Sequence, residues 1–245
     1  MGSKNRIVKE LIPILTKYLT IDKWYVEPFA GGMNVIDKIK HDKRIANDKN
    51  NYLISMWKYF VDGYNFPTQI DKEYYSELRA NFNTNGFSDC INEENAIIGW
   101  VGFMGSCKGR FFDGGYCGGR KDRDFIKEHI NNVLKQKDNM NGSKFSCCAY
   151  YDMVIPNNSI IYCDPPYANT KQYSISKNFD YDRFWNWCRE QTNLGNDVII
   201  SEYTAPNDFV CIWEKEITTA MNNTTTLKPI EKLFVHKSIS ERYKH

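Results

Sequence analysis

Residues 23–29 (KWYVEPF) and 43–48 (KRIAND) are two short strand-like runs, and each is followed by helical spacing, first in VIDKIK and then in NNYLISMWKYFV. Strand, helix, strand, helix at these short intervals leaves little choice but a parallel sheet with crossover helices. A third apolar run, SIIYC at 159–163, stops on Asp164-Pro165-Pro166-Tyr167. Pro165 has no amide hydrogen to donate, so a strand ladder must end there. A glycine or an Asn-Gly turn would stop a strand equally well. The stiffer stop used here fixes a carboxylate beside a backbone carbonyl, and then presents an aromatic ring.

The pattern is interrupted between Asp62 and about Asn141. Within that polar stretch, residues 99–120 hold eight of the chain's 15 glycines (Gly99, Gly102, Gly105, Gly109, Gly114, Gly115, Gly118 and Gly119). So many glycines argue against a regular helix or a central strand. KEYYSELRANFN before it and RDFIKEHINNVLKQ after it read as helices. Trp100, Phe103, Phe111, Phe112 and Tyr116 make the segment an insertion with a small fold of its own, not a linker.

Strand logic resumes near FSCCAYYDMVI (145–155) and SIIYC. DRFWNWCREQTNLG is a helix with Asp180 or Asp182 as N-cap and Gly195 at its end. NDVIISEYTAP is a further strand. VCIWEKEIT and EKLFVHK, joined by the polar AMNNTTTLKP loop, form an antiparallel pair appended to the parallel sheet. Ile7, Leu11, Ile14 and Leu15 give an amphipathic N-terminal helix. The domain reading is a core of 1–61 and 141–245 interrupted by an inserted region at 62–140.

With 42% hydrophobic and 25% charged residues, the chain has an ordinary globular composition. Its formal net charge of +2 makes any nucleic-acid footprint a local one. No apolar stretch is long enough for a membrane span and the N-terminus lacks a signal-peptide layout, so a cytoplasmic protein is expected. The eight cysteines form no C-x-x-C pair and the four histidines are scattered, so neither a metal site nor a disulfide framework is expected.

Two constellations carry chemistry. In VEPFAGG (26–32), glycines at a strand tip let backbone approach a ligand closely, although a plain strand-to-helix turn fits them as well. Asp48, at the tip of the second strand, is placed where doubly wound folds hold ribose hydroxyls; helix capping is its other reading. In the second constellation, an exocyclic amine on an aromatic ring is a poor nucleophile because its lone pair is delocalised. A carboxylate at Asp164 and the carbonyl of Pro165, each accepting one N–H, would localise that lone pair and stabilise the charge that develops on attack. The Pro165 ring keeps that carbonyl in place, with Pro166 next to it in the stiff stop as a further candidate, and the Tyr167 ring could stack on the base. The requirement is strict: Asp164 must face a cavity open to both donor and base, not lie turned away in a salt link.

An F-x-G-G-like turn followed well downstream by D-P-P-Y resembles the DNA adenine-N6 methyltransferases, in the motif order of the DNA adenine methylase subgroup. MGSKNRI, ANDKN, YCDPPYANT, ISEYTAP and EKLFVHK extend the resemblance over most of the chain outside 62–140. The resemblance implies a Rossmann-like α/β methyltransferase core with S-adenosylmethionine as methyl donor and double-stranded DNA as partner, acting on N6 of a flipped adenine. It implies Lys4 near the donor and target pocket, Glu27, Pro28, Phe29, Gly31 and Gly32 around the methionine moiety, and Asp48 on the ribose. It implies Asp164 and Pro165 on the target amine, Tyr167 on the adenine, and Cys148 to Tyr150 near the donor's adenine ring. Ala149 stands where an acid is expected there and takes no role.

Lys108, Arg110, Arg120, Lys121 and Arg123, set among glycines and aromatics, are candidate DNA contacts, with a solvated charged loop as the alternative. Lys171 and Tyr173, in the loop after Tyr167, are two more. Ser201, Glu202 and Tyr203 either line the base pocket or merely finish a strand. Cys163 is expected to be structural, because the amine itself attacks. Methylation of cytosine N4 or of an RNA adenine stays open, as does a catalytically silent DNA-binding regulator. The recognised site, a restriction partner and the oligomeric state, a monomer included, are not legible.

Overall fold

The computed structural model describes residues 4–87, 90–119, 122–167, 179–216 and 230–243. Its strands are β1 (Trp24–Glu27), β2 (Arg44–Asn47), β3 (Lys144–Ser146), β4 (Ser159–Cys163), β5 (Asp197–Glu202), β6 (Phe209–Glu216) and β7 (Ile230–His236). They form one 7-stranded sheet in the order β3-β2-β1-β4-β5-β7-β6. β1 to β5 pair in parallel, and β7 runs antiparallel to both β5 and β6. The expected antiparallel pair is therefore present. The chain leaves β1 toward β2 and β3 on one side and returns to β4 on the other. That reversal opens a crevice beyond the carboxyl ends of β1 and β4.

The central strands are buried along their whole length, because helices cover both faces. On one face Tyr25, Ile160, Tyr162, Ile199, Leu233 and Val235 pack in one cluster with the helices α1 (Val8–Leu15), α2 (Asn51–Val61) and α4 (Glu93–Met104). On the other, Val26, Ile161, Cys163, Val198, Ile200 and Phe234 pack against α6 (Tyr181–Asn193). Asp180 caps α6 by accepting from the Arg183 amide at 2.9 Å, and Gly195 closes it at φ 88°. A short α7 (Lys237–Tyr243) follows β7.

Helices α3 (Lys72–Asn85) and α5 (Phe125–Lys137) form where the sequence places them. Three expectations need correction. VIDKIK gives only a 3-10 turn, Ile36–Lys38. The Arg44 guanidinium takes the Ile36 and Ile39 carbonyls at 3.3 and 3.2 Å, so those groups are satisfied without further helix. The glycine-rich stretch starts inside a helix, since α4 runs through Gly99 and Gly102. A Cβ on Gly99 would lie 2.1 Å from the Tyr52 carbonyl oxygen, and one on Gly102 would lie 2.5 Å from the Phe111 ring. These glycines serve close packing, which outweighs their helix cost of roughly 1 kcal/mol each. Finally, Phe66, Ile70, Tyr75, Trp100, Phe112, Ile126 and Ile130 belong to the first face's cluster, so this segment extends the sheet's core instead of folding around its own. The AMNNTTTLKP loop lies outside the described residues. Among the described residues, no helix is long and apolar enough to cross a membrane.

Candidate active site

At the tip of β1, the buried Glu27 carboxylate accepts from the Tyr25 hydroxyl at 2.8 Å, and burial drives its pKa well up. The chain then turns through Pro28–Gly32, with Gly31 at φ 49°, a conformation that glycine adopts without steric cost. The Gly31 amide donates to Asp48 Oδ2 at 3.0 Å, and the Asn50 amide to Asp48 Oδ1 at 3.0 Å. Asp48 thus ties the β1 turn to the β2 tip. Its pKa is raised by desolvation, against the pull of these amides. The cap of α2 is Asn50, which accepts from the Leu53 amide at 3.1 Å. Asn47, which sequence reasoning did not single out, bonds the Pro28 and Cys148 carbonyls, both at 3.0 Å, and so locks three segments together.

At the tip of β4 the side chains alternate. Cys163 points into the second cluster, whereas Tyr162 belongs to the first. Asp164 follows Tyr162 in that alternation, and its Oδ1 lies 3.2 Å from Lys4 Nζ. Lys4 Nζ also lies 2.8 Å from Glu231 Oε2 and donates to the Tyr167 hydroxyl. The Tyr167 hydroxyl lies 2.8 Å from Glu231 Oε2 and 2.9 Å from Ser201 Oγ. Tyr203 meets the Tyr167 ring edge-on, with centroids 4.7 Å apart. Burial raises the Asp164 pKa; Lys4 opposes that rise and Glu231 adds to it. Burial alone would lower the Lys4 pKa, but Asp164 and Glu231 more than offset this and it is raised.

Both groups open on one cavity of about 760 Å³. Its walls include Lys4, Glu27, Pro28, Phe29, Gly31, Gly32, Asp48, Tyr150, Asp164, Pro165, Pro166 and Tyr167, so these predicted site residues come together. Asp164 is in a salt link, yet it stands in the wall of a cavity shared with the Gly31–Asp48 corner. Tyr150 packs against Phe29, ring centroids 5.3 Å apart, and Cys148 and Ala149 lie beside it in the wall. Tyr203 lines the cavity, Ser201 meets it through Tyr167, and the buried Glu202 accepts from the Tyr203 amide at 2.7 Å.

Of the basic candidates, Arg110 lines the cavity. It sits near the tip of a hairpin closed by the Ser106–Tyr116 bridge and pinned by the Ser106 hydroxyl, which bonds the Tyr75 hydroxyl at 2.9 Å and the Phe112 amide at 3.0 Å. Lys108 is exposed beside it, outside the cavity wall. Arg123 is engaged with Glu128 at 2.6 and 2.8 Å. Arg120, Lys121, Lys171 and Tyr173 lie outside the described residues. Among the described residues, no cluster of three or more His, Cys, Asp or Glu side chains could hold a metal ion.

A family model described as D12 class N6 adenine-specific DNA methyltransferase matches residues 1–216. Among solved structures, the crystal structure of SMU.472 complexed with SAH aligns with 11% identity and a TM-score of 0.38. The alignment covers 96% of this chain and 52% of that one, so the chain spans about half the length of that protein. None of the curated proteins matches.

Proposed function

Because the chain belongs to the D12 class N6 adenine-specific DNA methyltransferases, we propose that it transfers a methyl group from S-adenosylmethionine to N6 of an adenine flipped out of duplex DNA. The observation that carries this reading is the opening of the Asp164–Tyr167 turn and the Gly31–Asp48 corner onto the same cavity. The cavity also fits the donor chemically. A backbone turn with φ 49° at Gly31 permits close approach, Asp48 offers carboxylate oxygens to hydroxyls, and Phe29 and Tyr150 give apolar walls for a purine. When bound, the donor supplies an electrophilic methyl group on a positively charged sulfur.

The chain's own groups do the rest. Asp164 and the Pro165 carbonyl accept the two N–H bonds of the target amine and draw its lone pair toward nitrogen. Asp164 then takes the proton that the methylated amine sheds. Lys4 favours the ionised form of Asp164, which must be an acceptor at the start. The ties from Tyr167 to Lys4, Glu231 and Ser201 fix its ring for stacking on the base. Residues 62–140 read the DNA in this reading, with Arg110 in the cavity wall and the exposed Lys108 as candidate contacts; Arg123 could serve only by leaving Glu128. The protein acts in the cytoplasm in this reading.

The test is nucleoside mass spectrometry of DNA and RNA treated with the purified protein and donor. N6-methyladenine in DNA is the expected product. Cytosine-N4 methylation, product in RNA alone, or no product would replace this reading with one of its rivals. Asp164→Ala should abolish transfer while donor binding, followed by calorimetry, is largely kept.

A further inference from the structure

Glu231 has no role in the motifs read from the sequence, yet it lies at the centre of the contacts around Asp164. The face of the sheet that packs on α1, α2 and α4 takes alternate residues from each strand: Tyr25 from β1, Ile160 and Tyr162 from β4, Ile199 from β5, and Leu233 and Val235 from β7. Continued by one step toward the crevice, the same alternation reaches Glu27, Asp164, Ser201 and Glu231. The parallel strands deliver these groups at their carboxyl ends. β7 runs the other way, so its amino end arrives there, with Ser201 paired to Leu233 and Glu202 to Lys232.

Burying a carboxylate in a core position is costly unless it is paired and hydrogen-bonded. Glu231 is 7% exposed, and its Oε2 accepts from both Lys4 Nζ and the Tyr167 hydroxyl at 2.8 Å. Lys4 in turn reaches Asp164 at 3.2 Å. The titratable groups that face Glu231 are Lys4 from the N-terminal 3-10 turn, Tyr162 from β4, Asp164 and Tyr167 after β4, and Tyr203 after β5; Lys215 on β6 is its cross-strand partner, but the Lys215 ammonium is engaged with Glu10. With Asp164 and Glu231 ionised, Lys4 protonated and the buried Glu27, whose pKa burial drives well up, protonated, this end of the cavity carries one net negative charge.

We propose that Glu231 is a positioning residue for methyl transfer: it holds Lys4 and Tyr167 in place and supplies the second carboxylate that leaves the amine site with one uncompensated negative charge. This rests on the function proposed above. In that reaction the bond between the methyl carbon and N6 forms as the bond from carbon to sulfur breaks. Sulfur keeps the electron pair, N6 becomes cationic, and its proton passes to Asp164. A site with one excess negative charge is complementary to that cation as it develops. A neutral site would hold the uncharged amine as well but would gain less as transfer proceeds.

The test is Glu231→Gln, which removes the charge while keeping one acceptor oxygen for Lys4 and Tyr167, with Glu231→Asp as the charge-retaining control. Glu231→Gln should lower kcat by about a hundredfold, on the order of what misplaced or weakened transition-state contacts cost, with donor binding kept within about twofold. Because Glu231 raises the pKa of Asp164, which must be ionised to accept from the amine, the acid limb of the pH–rate profile should move to lower pH in Glu231→Gln. It should stay near the wild-type position in Glu231→Asp. A merely structural residue would change the yield of folded protein without moving that limb. An unshifted acid limb, or a wild-type kcat in folded Glu231→Gln, would overturn the inference. Absence of adenine methylation by the wild-type protein would instead overturn the function on which it rests.

Discussion

Lys4 is the only cation in the contacts around Asp164 and Glu231 among the described residues, and replacing it by methionine isolates what it does. At 3.2 and 2.8 Å, the gross attractions to the two carboxylates are roughly 5 and 6 kcal/mol at an effective dielectric constant of about 20. Most of that is offset by taking the ammonium out of water. Removing one partner of a buried ion pair typically costs about 3–5 kcal/mol, because the other charge is left uncompensated. For a chain of this size each kcal/mol lowers Tm by about 2–4 °C, so Lys4→Met should melt about 10 °C below the wild type near neutral pH. The deficit should depend on pH. Without Lys4, the influence opposing the raised Asp164 pKa disappears, and that pKa climbs further above its unfolded value of 3.8. A carboxylate raised in the folded state weakens folding above its unfolded pKa, and the penalty vanishes below it. Lys4 itself, with its pKa raised above 10.5, stays protonated throughout the acid and neutral range. Differential scanning calorimetry of both proteins at pH 5 and pH 8 should therefore show the smaller gap at pH 5. A gap of equal size at both values, or no gap, would refute the electrostatic role given to Lys4.

Gly99→Ala should destabilise the protein by about 1–3 kcal/mol in urea titrations, despite the better helix former, because its Cβ meets the Tyr52 carbonyl oxygen at 2.1 Å; an unchanged or higher midpoint would contradict the packing. The Arg189–Asp208 pair holds the Asp208 pKa down at about 2. Its stabilisation, about 1 kcal/mol after solvent screening, should be complete above pH 4 and fade as pH falls toward 2. Asp208→Asn should remove that acid dependence from thermal melts. Cys163→Ser should keep methyl transfer, since Cys163 faces the second cluster, away from Asp164; loss of transfer with intact donor binding would show a direct role in the chemistry.

The strands themselves were largely legible because their signals are local: apolar runs of strand length, proline and glycine stops, and the acids Asp48 and Asp164 at strand tips. VIDKIK misled because spacing alone cannot show that Arg44 will claim the Ile36 and Ile39 carbonyls. The glycines of α4 misled for a related reason. Glycine scores as a breaker locally, and only the neighbouring helix reveals that Gly99 must be small. Asn47 was missed because its partners, Pro28 and Cys148, are 19 and 101 residues away in the chain. Glu231 did leave a trace. In EKLFVHK, Leu233 and Val235 mark the buried face, so the acid two positions earlier occupies a place reserved for an apolar side chain. What that acid binds could not be read, because Lys4 lies 227 residues away.

The contact at Gly99 reaches further than stability. Tyr52, which it touches, belongs to the first turn of α2, directly after the Asp48–Asn50 corner, while α4 leads within a few residues to the hairpin that carries Arg110. With no spare space between the two helices, the Arg110 hairpin and the Gly31–Asp48 corner are mounted on one stiff frame. Displacing either element strains the other, and any free energy exchanged in this way must be felt equally in both directions.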